Sequence, residues 1–185
     1  MNNRVGQLLI AHPNLPKENP FQRTVIYILN DNETGTQGII LNKPTAYKVA
    51  DFMTQRGYGF PATDQRIRFG GPLSTKTVFM LHTDDFTSAS SEIVGNGLMI
   101  SCDDFMIEKM TQQQVFPYRW RMCVGICGWQ PGQLDMELQG HPPYRPENSW
   151  LVAKANESIM FSYDGEQQWQ KAMELSSRQM INSYF

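Results

Sequence analysis

The sequence predicts an α+β fold in a single domain that spans residues 1–185. Its length of 185 residues corresponds to one domain, and no repeat or long linker divides it. Strand-like and helix-like segments are mixed, without the regular strand–helix alternation of a doubly wound parallel sheet. Charged residues make up 18% of the chain, below the typical value of about 25%, which excludes a solvated, disordered chain.

The first 41 residues predict three strands. Residues 8–11, 24–30 and 37–41 are short runs rich in β-branched and apolar side chains. The segment 31–36 consists of turn-forming residues, and we expect it to be a hairpin loop. Because the apolar runs are continuous rather than alternating, these strands are expected to be buried on both faces.

Two helices are predicted in the middle of the chain. The first covers residues 45–57, where Thr45 is a suitable N-cap, apolar residues recur at helical spacing and Gly57 ends the segment. The second covers residues 101–110, with Ser101 as its N-cap and acidic residues in its first turn.

Between these helices, strands are predicted at 67–69 and 77–82, on either side of a glycine-rich turn at 70–73. The turn and the residues after it differ from a phosphate-binding loop. Thr75, where that loop requires glycine, precedes Lys76, and a strand rather than a helix follows. We therefore expect a simple turn.

The second half of the chain predicts two more strands and two more helices. The strands are 122–127 and 158–161, and a short helix covers 133–138. The longest helix begins at Asp164, which forms a capping-box pattern with Gln167, and its apolar side chains lie mostly on one stripe.

The charge of the chain argues against nucleic-acid binding. Sixteen basic and eighteen acidic residues give a net charge of −2, whereas a protein that neutralises phosphates needs a surplus of Lys and Arg. Arg119, Trp120 and Arg121 form the most concentrated basic spot, and two arginines are too few for this purpose. We expect a solvated rim there and no sequence-specific nucleic-acid binding.

The beginning of the sequence predicts a cytoplasmic protein without membrane contact. Its apolar run at residues 8–11 has four residues. A signal peptide needs about 7–15 apolar residues and a membrane-spanning helix about 20. Three unevenly placed cysteines do not form a disulfide framework.

The segment 125–134 is the densest candidate for function. A predicted strand enters a tight Gly/Pro turn and then a helix, a geometry that directs backbone N–H groups toward an anion or oxyanion. Gly125 and Cys127 partly match a nucleophile elbow, although that pattern requires glycine where Trp129 stands. The alternative is structural: the glycines permit close packing and Trp129 anchors the turn.

The cysteines and histidines give no metal site. Cys123 and Cys127 lie roughly 13 Å apart along a strand, far beyond the thiolate–zinc bond of about 2.3 Å. His12, His82 and His141 are each expected to be hydrogen-bonded structural residues, although a histidine at a strand end is also a candidate general base. We predict neither a metal nor a cofactor.

Six segments resemble, in order, the motifs of the AlgH/YqgE-like family. They cover nearly the whole chain, and their combination is far more specific than any one of them. The segments are 8–13 (LLIAHP), 21–27 (FQRTVIY), 35–44 (GTQGIILNKP), 70–82 (GGPLSTKTVFMLH), 125–138 (GICGWQPGQLDMEL) and 150–151 (WL).

The resemblance implies a fold more than an activity. It implies a bifurcated mixed β-sheet folded into a pseudo-barrel with peripheral helices. The family is an uncharacterised bacterial one in which some members are called transcriptional regulators, and it brings no established catalytic residues. Cys127 stands where relatives commonly have Ala or Ser, which argues against a cysteine nucleophile.

Two functions from different classes follow. The first is a non-enzymatic regulatory or interaction protein that acts through a small ligand or a protein partner, with transcriptional regulation as the implied process. The alternative is a small-molecule hydrolase that uses His82 and the turn of residues 128–133; its catalytic residues are otherwise unknown. A direct, sequence-specific DNA-binding protein is disfavoured by the charge and by the lack of a helix-turn-helix pattern.

Turns and strand ends are the expected places for ligand-binding groups, because they escape the packing that fixes strand interiors. We expect His82, Asn42 and the turn of residues 129–133 to lie within roughly 10–12 Å of one another around one concavity. The candidate ligand-binding residues are Asn42, Gly70, Gly71, His82, Gly128, Trp129, Gly132 and Gln133.

Overall fold

A β-sheet and peripheral helices build the molecule. The structure, a computed structural model, describes residues 3–143 and 150–183. The strands within these residues are β1 (Gln7–Ala11), β2 (Val25–Asn32), β3 (Gly35–Ile40), β4 (Pro44–Lys48), β5 (Arg66–Phe69), β6 (Leu73–Thr83), β7 (Glu92–Ile93), β8 (Leu98–Ser101), β9 (Trp120–Trp129) and β10 (Trp150–Lys154). The helices are α1 (Val49–Thr54), α2 (Asp104–Thr111), α3 (Gln133–Gln139), α4 (Glu157–Phe161) and α5 (Gly165–Asn182).

The sheet divides at β9. Its main path runs β10-β1-β2-β3-β9-β6-β8-β7, with β5 on β9 and β4 on β5 as a branch. Cys123 in the first half of β9 pairs with β5 in parallel, and Cys127 in the second half pairs with β3 in antiparallel orientation. The α+β class and the bifurcated mixed sheet with peripheral helices are therefore confirmed.

Glycines allow the backbones to approach closely at this division. Gly70 donates its N–H to the Val124 oxygen of β9 at 2.8 Å and accepts from the Ile40 N–H of β3 at 2.8 Å, so it joins both branches. A Cβ at Gly70 would lie 2.2 Å from the Gly125 oxygen, and one at Gly71 would lie 2.1 Å from the backbone of β9. Any larger residue at either position would force the strands apart.

Apolar side chains cover both faces of the sheet, as the continuous runs predict. In β2, Val25 and Tyr27 join one core cluster while Ile26 and Ile28 join another. The first cluster lies between the sheet and the helices α4 and α5, and the second contacts α3 through Leu134. A third cluster packs α1 and α2 against β5, β6 and β9. Within the described ranges, no helix combines the length and apolarity needed to cross a bilayer.

The predicted first helix begins later than expected. Thr45 belongs to β4 rather than capping a helix, and α1 begins at Val49 after Lys48. Pairing with β5, where Pro44 faces Arg68 and Lys48 faces Arg66, holds this segment extended. Tertiary hydrogen bonding therefore overrides the local capping signal.

Two other expectations at element boundaries are wrong. The segment 158–161, predicted as a strand, is most of the short helix α4, where Asn156 accepts from the Ile159 N–H as N-cap. Four residues are too few to distinguish the periodicity of a helix from that of a strand. Ser101 ends β8 instead of capping α2, since the cap is Asp103 two residues later. The N-cap expected at Asp164 for the longest helix is confirmed.

Candidate functional site

His82 is a buried structural histidine. The residue lies in β6, its side chain is fully inaccessible to solvent, and its ring contacts Phe86 edge to face. Nδ1 lies 2.8 Å from the Thr83 carbonyl oxygen, which only accepts, so Nδ1 carries the proton and Nε2 accepts from the Ser101 hydroxyl at 2.8 Å. Burial lowers the pKa of His82, so the neutral ring that these two bonds require is favoured.

The expected convergence of His82 with the turn of residues 129–133 is wrong. His82 pairs with Trp120 at the beginning of β9, whereas Trp129 ends that strand. Nine residues measure about 30 Å along a strand at about 3.3 Å per residue, and β9 bends between these two positions at Gly125, where φ is 76°. The sequence predicts a shorter strand at 122–127, and nothing local in it indicates that His82 pairs with the beginning of that strand.

Asn42 holds three segments together. It is almost completely buried just after β3. Its Oδ1 accepts from the Val25 N–H at 2.8 Å, while Nδ2 donates to the Arg23 oxygen at 2.8 Å and to the Gly165 oxygen at 3.0 Å. All of these partners are backbone groups, so the amide expected to contact a ligand instead fastens α5 to the sheet.

The side chains of Trp129 and Gln133 stabilise the turn that they belong to. The Trp129 ring is 7% exposed and lies edge to face with Trp150. Both indole N–H groups donate to Oε2 of Glu137, at 3.1 and 2.8 Å. Gln133 donates to Oε1 of the same carboxylate at 2.9 Å and accepts from the Gln130 N–H at 3.0 Å. The structural interpretation of Trp129 as an anchor is supported by these contacts.

A groove of about 630 Å³ lies beside this turn, between the end of β9 and the β2–β3 hairpin. Gly128 faces Gln37 of β3 in the ladder, and both residues are exposed. A Cβ at Gly128 would meet only the tip of the Leu73 side chain, at 2.7 Å. The residues that line the groove are Asn30, Thr34, Gly35, Thr36, Gln37, Leu73, Gly128, Trp129, Gln130, Pro131 and Gln133. We call this concavity the Gly128 groove.

The Gly128 groove is polar without being charged. Its lining, as far as the described residues form it, contains amides, hydroxyls and exposed backbone, and no Asp, Glu, Lys or Arg side chain. Gly132, with a φ of 75°, is the N-cap of α3, and open space surrounds the position of a Cβ there. Three of the candidate residues, Gly128, Trp129 and Gln133, therefore line one concavity.

The other candidates do not join that concavity's lining. Gly70 and Gly71 lie where the sheet divides, and Asn42 and His82 are buried in hydrogen-bonded positions. Sequence reasoning missed the hairpin residues 34–37 and Leu73 as lining residues. The hairpin itself was predicted, but the pairing of β3 with β9 that brings it beside Gly128 leaves no local signal in the sequence.

The cysteines in β9 are unsuited to nucleophilic catalysis. Burial raises the pKa of Cys123 to about 11 and that of Cys127 to about 12, so both are thiols at neutral pH. Cys127 Sγ lies 3.6 Å from the Gly70 oxygen, within the packed division of the sheet. Across the described ranges, no group of three or more His, Cys, Asp and Glu side chains is placed to hold a metal ion.

Arg121 departs from the solvated rim that the sequence predicts for residues 119–121. Its side chain is buried, and its guanidinium donates to the Leu41 and Tyr163 oxygens at 2.9 and 2.5 Å. Trp120 is half-buried and packs against the aromatic rings of Phe60 and Phe116. Of these three residues Arg119 alone is exposed, and it pairs with Glu157 at 3.4 Å.

Comparison with known proteins identifies relatives over most of the chain. A UPF0301 protein of Caulobacter vibrioides is 31% identical over 175 residues, covering 91% of this chain and 85% of the relative. A UPF0301 protein of Methylococcus capsulatus is 32% identical over 171 residues, covering 91% of this chain and 88% of the relative.

Solved structures agree with the sequence comparison. The solution structure of AlgH from Pseudomonas aeruginosa matches with a TM-score of 0.75 and 26% identity, covering 94% of this chain and 89% of that one. A protein of Corynebacterium diphtheriae matches in fold, with a TM-score of 0.71 at 23% identity, covering 94% of this chain and 87% of that one. The model of the AlgH-like family (DUF179) matches residues 8–180, and the chain belongs to that family.

Proposed function

We propose that the protein is a non-catalytic, cytoplasmic binding protein whose Gly128 groove takes a small, uncharged, polar ligand. The observation that carries this proposal is the lining of the groove. Gly128, Trp129 and Gln133, which the sequence analysis singled out, meet the β2–β3 hairpin there and enclose a volume of about 630 Å³. That volume lies within the range of about 300–1,000 Å³ typical of small-molecule sites.

The floor of the groove is glycine, and only the tip of the Leu73 side chain lies over it. Gly128 lies in a strand, on the side of the sheet from which Gln37 projects, and strand glycines often mark places where another group approaches the backbone closely. Its φ lies outside the left-handed region, so neither backbone conformation nor backbone packing demands glycine at this position. An open approach to the backbone is the remaining physical consequence of having no side chain here.

The walls of the groove fit the proposed ligand class. Gln37 and Gln130 are exposed and bring amide donors and acceptors, while Leu73 is 50% exposed and adds an apolar wall. A charged ligand would find no opposite charge in this lining. A compact ring that carries hydroxyl or amide groups would satisfy both the polar walls and the apolar one.

Neither the hydrolase alternative nor direct DNA recognition is favoured by the geometry. A general base must come within hydrogen-bonding reach of its substrate, and His82 is buried and distant from the turn. A neutral groove on a chain of net charge −2 offers no counter-charge for phosphates. A regulatory or interaction role would then follow from how the bound ligand alters this surface.

The test is an NMR titration of the whole protein with glucose, adenosine, uridine and acetamide as uncharged probes. We expect at least one probe to give saturable shifts of the backbone amides of Gln37, Gly128 and Gln130. Gly128→Val, which fills the floor and displaces only the Leu73 side-chain tip, should abolish these shifts.

The matched control is Gly59→Val, because a Cβ at Gly59 meets nothing within 4 Å and this residue lies outside the groove lining. It should bind as the wild type does. Binding that survives in Gly128→Val, saturable shifts confined to another region, or no saturable shift with any of the four probes would each overturn the proposal.

A further inference from the structure

Two buried arginines meet at the beginning of α5. Arg68 of β5 is 6% exposed and Arg121 of β9 is 3% exposed. Arg68 Nη2 donates to Oδ2 of Asp164 at 2.6 Å, and Arg121 Nη1 lies 4.0 Å from Oδ1 of the same carboxylate. Asp164 is the N-cap of α5, and its side chain is 42% exposed. The partly exposed carboxylate of Asp164 is therefore the shared counter-charge of the two buried guanidinium groups.

The charges of this pair are incompletely balanced. Besides Asp164, Arg121 contacts neutral acceptors, namely the oxygens of Leu41, Tyr163 and Gln168. Arg68 Nε is buried and has no hydrogen-bond partner within the described ranges. Buried cations without full compensation are costly, so a further anion at this position would be stabilised.

The surrounding surface adds more positive than negative charge. Lys43, which follows Asn42, is half-buried, and burial together with the nearby Arg23 lowers its pKa. Arg23 is paired with Glu166 at 2.5 Å. Counting Arg23, Lys43, Arg68 and Arg121 against Asp164 and Glu166 gives four positive charges and two negative ones. The excess of two corresponds to one dianion.

The first turn of α5 is open on one side. A Cβ at Gly165, its first residue, would meet nothing within 4 Å. The N–H groups in the first turn of a helix lack partners within the helix and carry a partial positive charge. In α5 the Asp164 Oδ1 accepts from the Gly165 N–H at 2.9 Å, so the next two N–H groups, those of Glu166 and Gln167, are the ones that face a ligand. Helix α5 has 18 residues, so this contribution is fully developed here.

We propose that a phosphate group binds at the beginning of α5, beside Asp164, where Lys43 and the N–H groups of Glu166 and Gln167 contact it and the buried Arg68 and Arg121 supply the field behind it. Phosphate matches the excess of two charges, and arginine and a helix N-terminus both suit its oxygens. This site is separate from the Gly128 groove, since Arg121 precedes Gly128 by seven residues along β9. Arg23 and Lys43 belong to segments that resemble the family motifs, and neither lines the Gly128 groove. The phosphate site would give both of them a role in binding.

The experiment is an NMR titration of the whole protein with inorganic phosphate, with sodium chloride adjusted to keep the ionic strength constant. We expect saturable shifts of the Glu166 and Gln167 amides. Sulfate, another dianion, should reproduce them, and acetate should shift them much less at equal concentration. Shifts that grow without saturation, that appear equally with acetate, or that lie away from α5 would overturn the proposal.

Two variants separate a binding site from a purely structural arginine pair. Asp164→Asn keeps a good N-cap residue and removes one negative charge beside the ligand. It should tighten phosphate binding about fivefold, as expected for removing a repulsion between unit charges about 4 Å apart in water. Lys43→Met should weaken binding by a similar factor.

Lys76→Met is the matched control, because Lys76 lies on the exposed part of β6 outside this cluster. It should leave the phosphate affinity unchanged. If the arginine pair only attaches α5 to the sheet, Asp164→Asn will lower the melting temperature without tightening phosphate binding. That result, or equal affinities in the Lys43 and Lys76 variants, would contradict the proposal.

Discussion

Replacing Asn42 by alanine is the most direct test of how this fold is held together. The Asn42 side chain makes three hydrogen bonds to backbone groups of three segments: Val25 in β2, Arg23 before it and Gly165 in α5. The alanine variant leaves one N–H and two carbonyl oxygens without these partners in a buried position. We therefore expect a loss of stability rather than a loss of binding alone.

The magnitude follows from the number of bonds. Each intramolecular hydrogen bond contributes about 0.5–1.5 kcal/mol net, and a buried group left unpaired costs more than an exposed one. Three bonds give a loss of about 2–4 kcal/mol in the free energy of unfolding. For a domain of this size, about 3 kcal/mol corresponds to a decrease of about 6–12 °C in Tm.

Urea denaturation followed by circular dichroism measures this loss, with a thermal melt as a second observable. Asn14→Ala is the matched control, because Asn14 is exposed in the loop after β1, and its stability should stay within about 0.5 kcal/mol of the wild type. If the Asn42 and Asn14 variants unfold at the same urea concentration, the hydrogen bonds assigned to Asn42 do not hold α5 to the sheet.

Three further predictions concern buried side chains. Trp129→Ala should lower the free energy of unfolding by about 3–5 kcal/mol in urea titrations, because a largely buried ring is removed; an unchanged midpoint would contradict its anchoring role. A thiol reagent should modify Cys102 rapidly in the native protein, whereas Cys123 and Cys127 should react only on unfolding, and fast reaction of more than one thiol would refute this. The pKa of His82 is lowered by burial, so its contribution to stability is present above the unfolded pKa of about 6.5 and is lost as the pH falls below it. His82→Asn should therefore show a shallower loss of stability from pH 7 to pH 5 than the wild type, measured as urea midpoints, and an equal slope would be the contrary result.

The elements that sequence reasoning placed correctly are those whose signal is local. The apolar run of β1 at residues 8–11 and the cap of α5 at Asp164 depend on neighbours within a few residues. Thr45 shows the opposite case, because pairing with β5 extends a segment that would otherwise cap a helix. The divided sheet was predicted from the resemblance to the family, because the periodicity of apolar residues does not encode how strands pair.

The candidate site was predictable only in part, because strand length decides which turns come together. The convergence of His82 with the turn of residues 129–133 was expected because these residues lie in turns and at strand ends, whereas the observed strand from Trp120 to Trp129 separates them. Polar residues at strand ends either contact a ligand or form structural hydrogen bonds, and the sequence does not distinguish these two roles. Asn42 bonds backbone groups, and Gln133 bonds the turn that contains it.

The glycines show most clearly why one sequence signal has two meanings. Gly70 and Gly128 both belong to family-like motifs, and both let something approach the backbone closely. At Gly70 the approaching group is a backbone oxygen 2.2 Å from the position of a Cβ, so glycine is required for the two branches of the sheet to meet. At Gly128 the approaching group is the flexible tip of the Leu73 side chain, beside the groove. The backbone would therefore tolerate a side chain at position 128, but that side chain would fill the groove. What surrounds a glycine, rather than its presence in a motif, therefore separates the glycine that builds the sheet from the glycine that lines the groove.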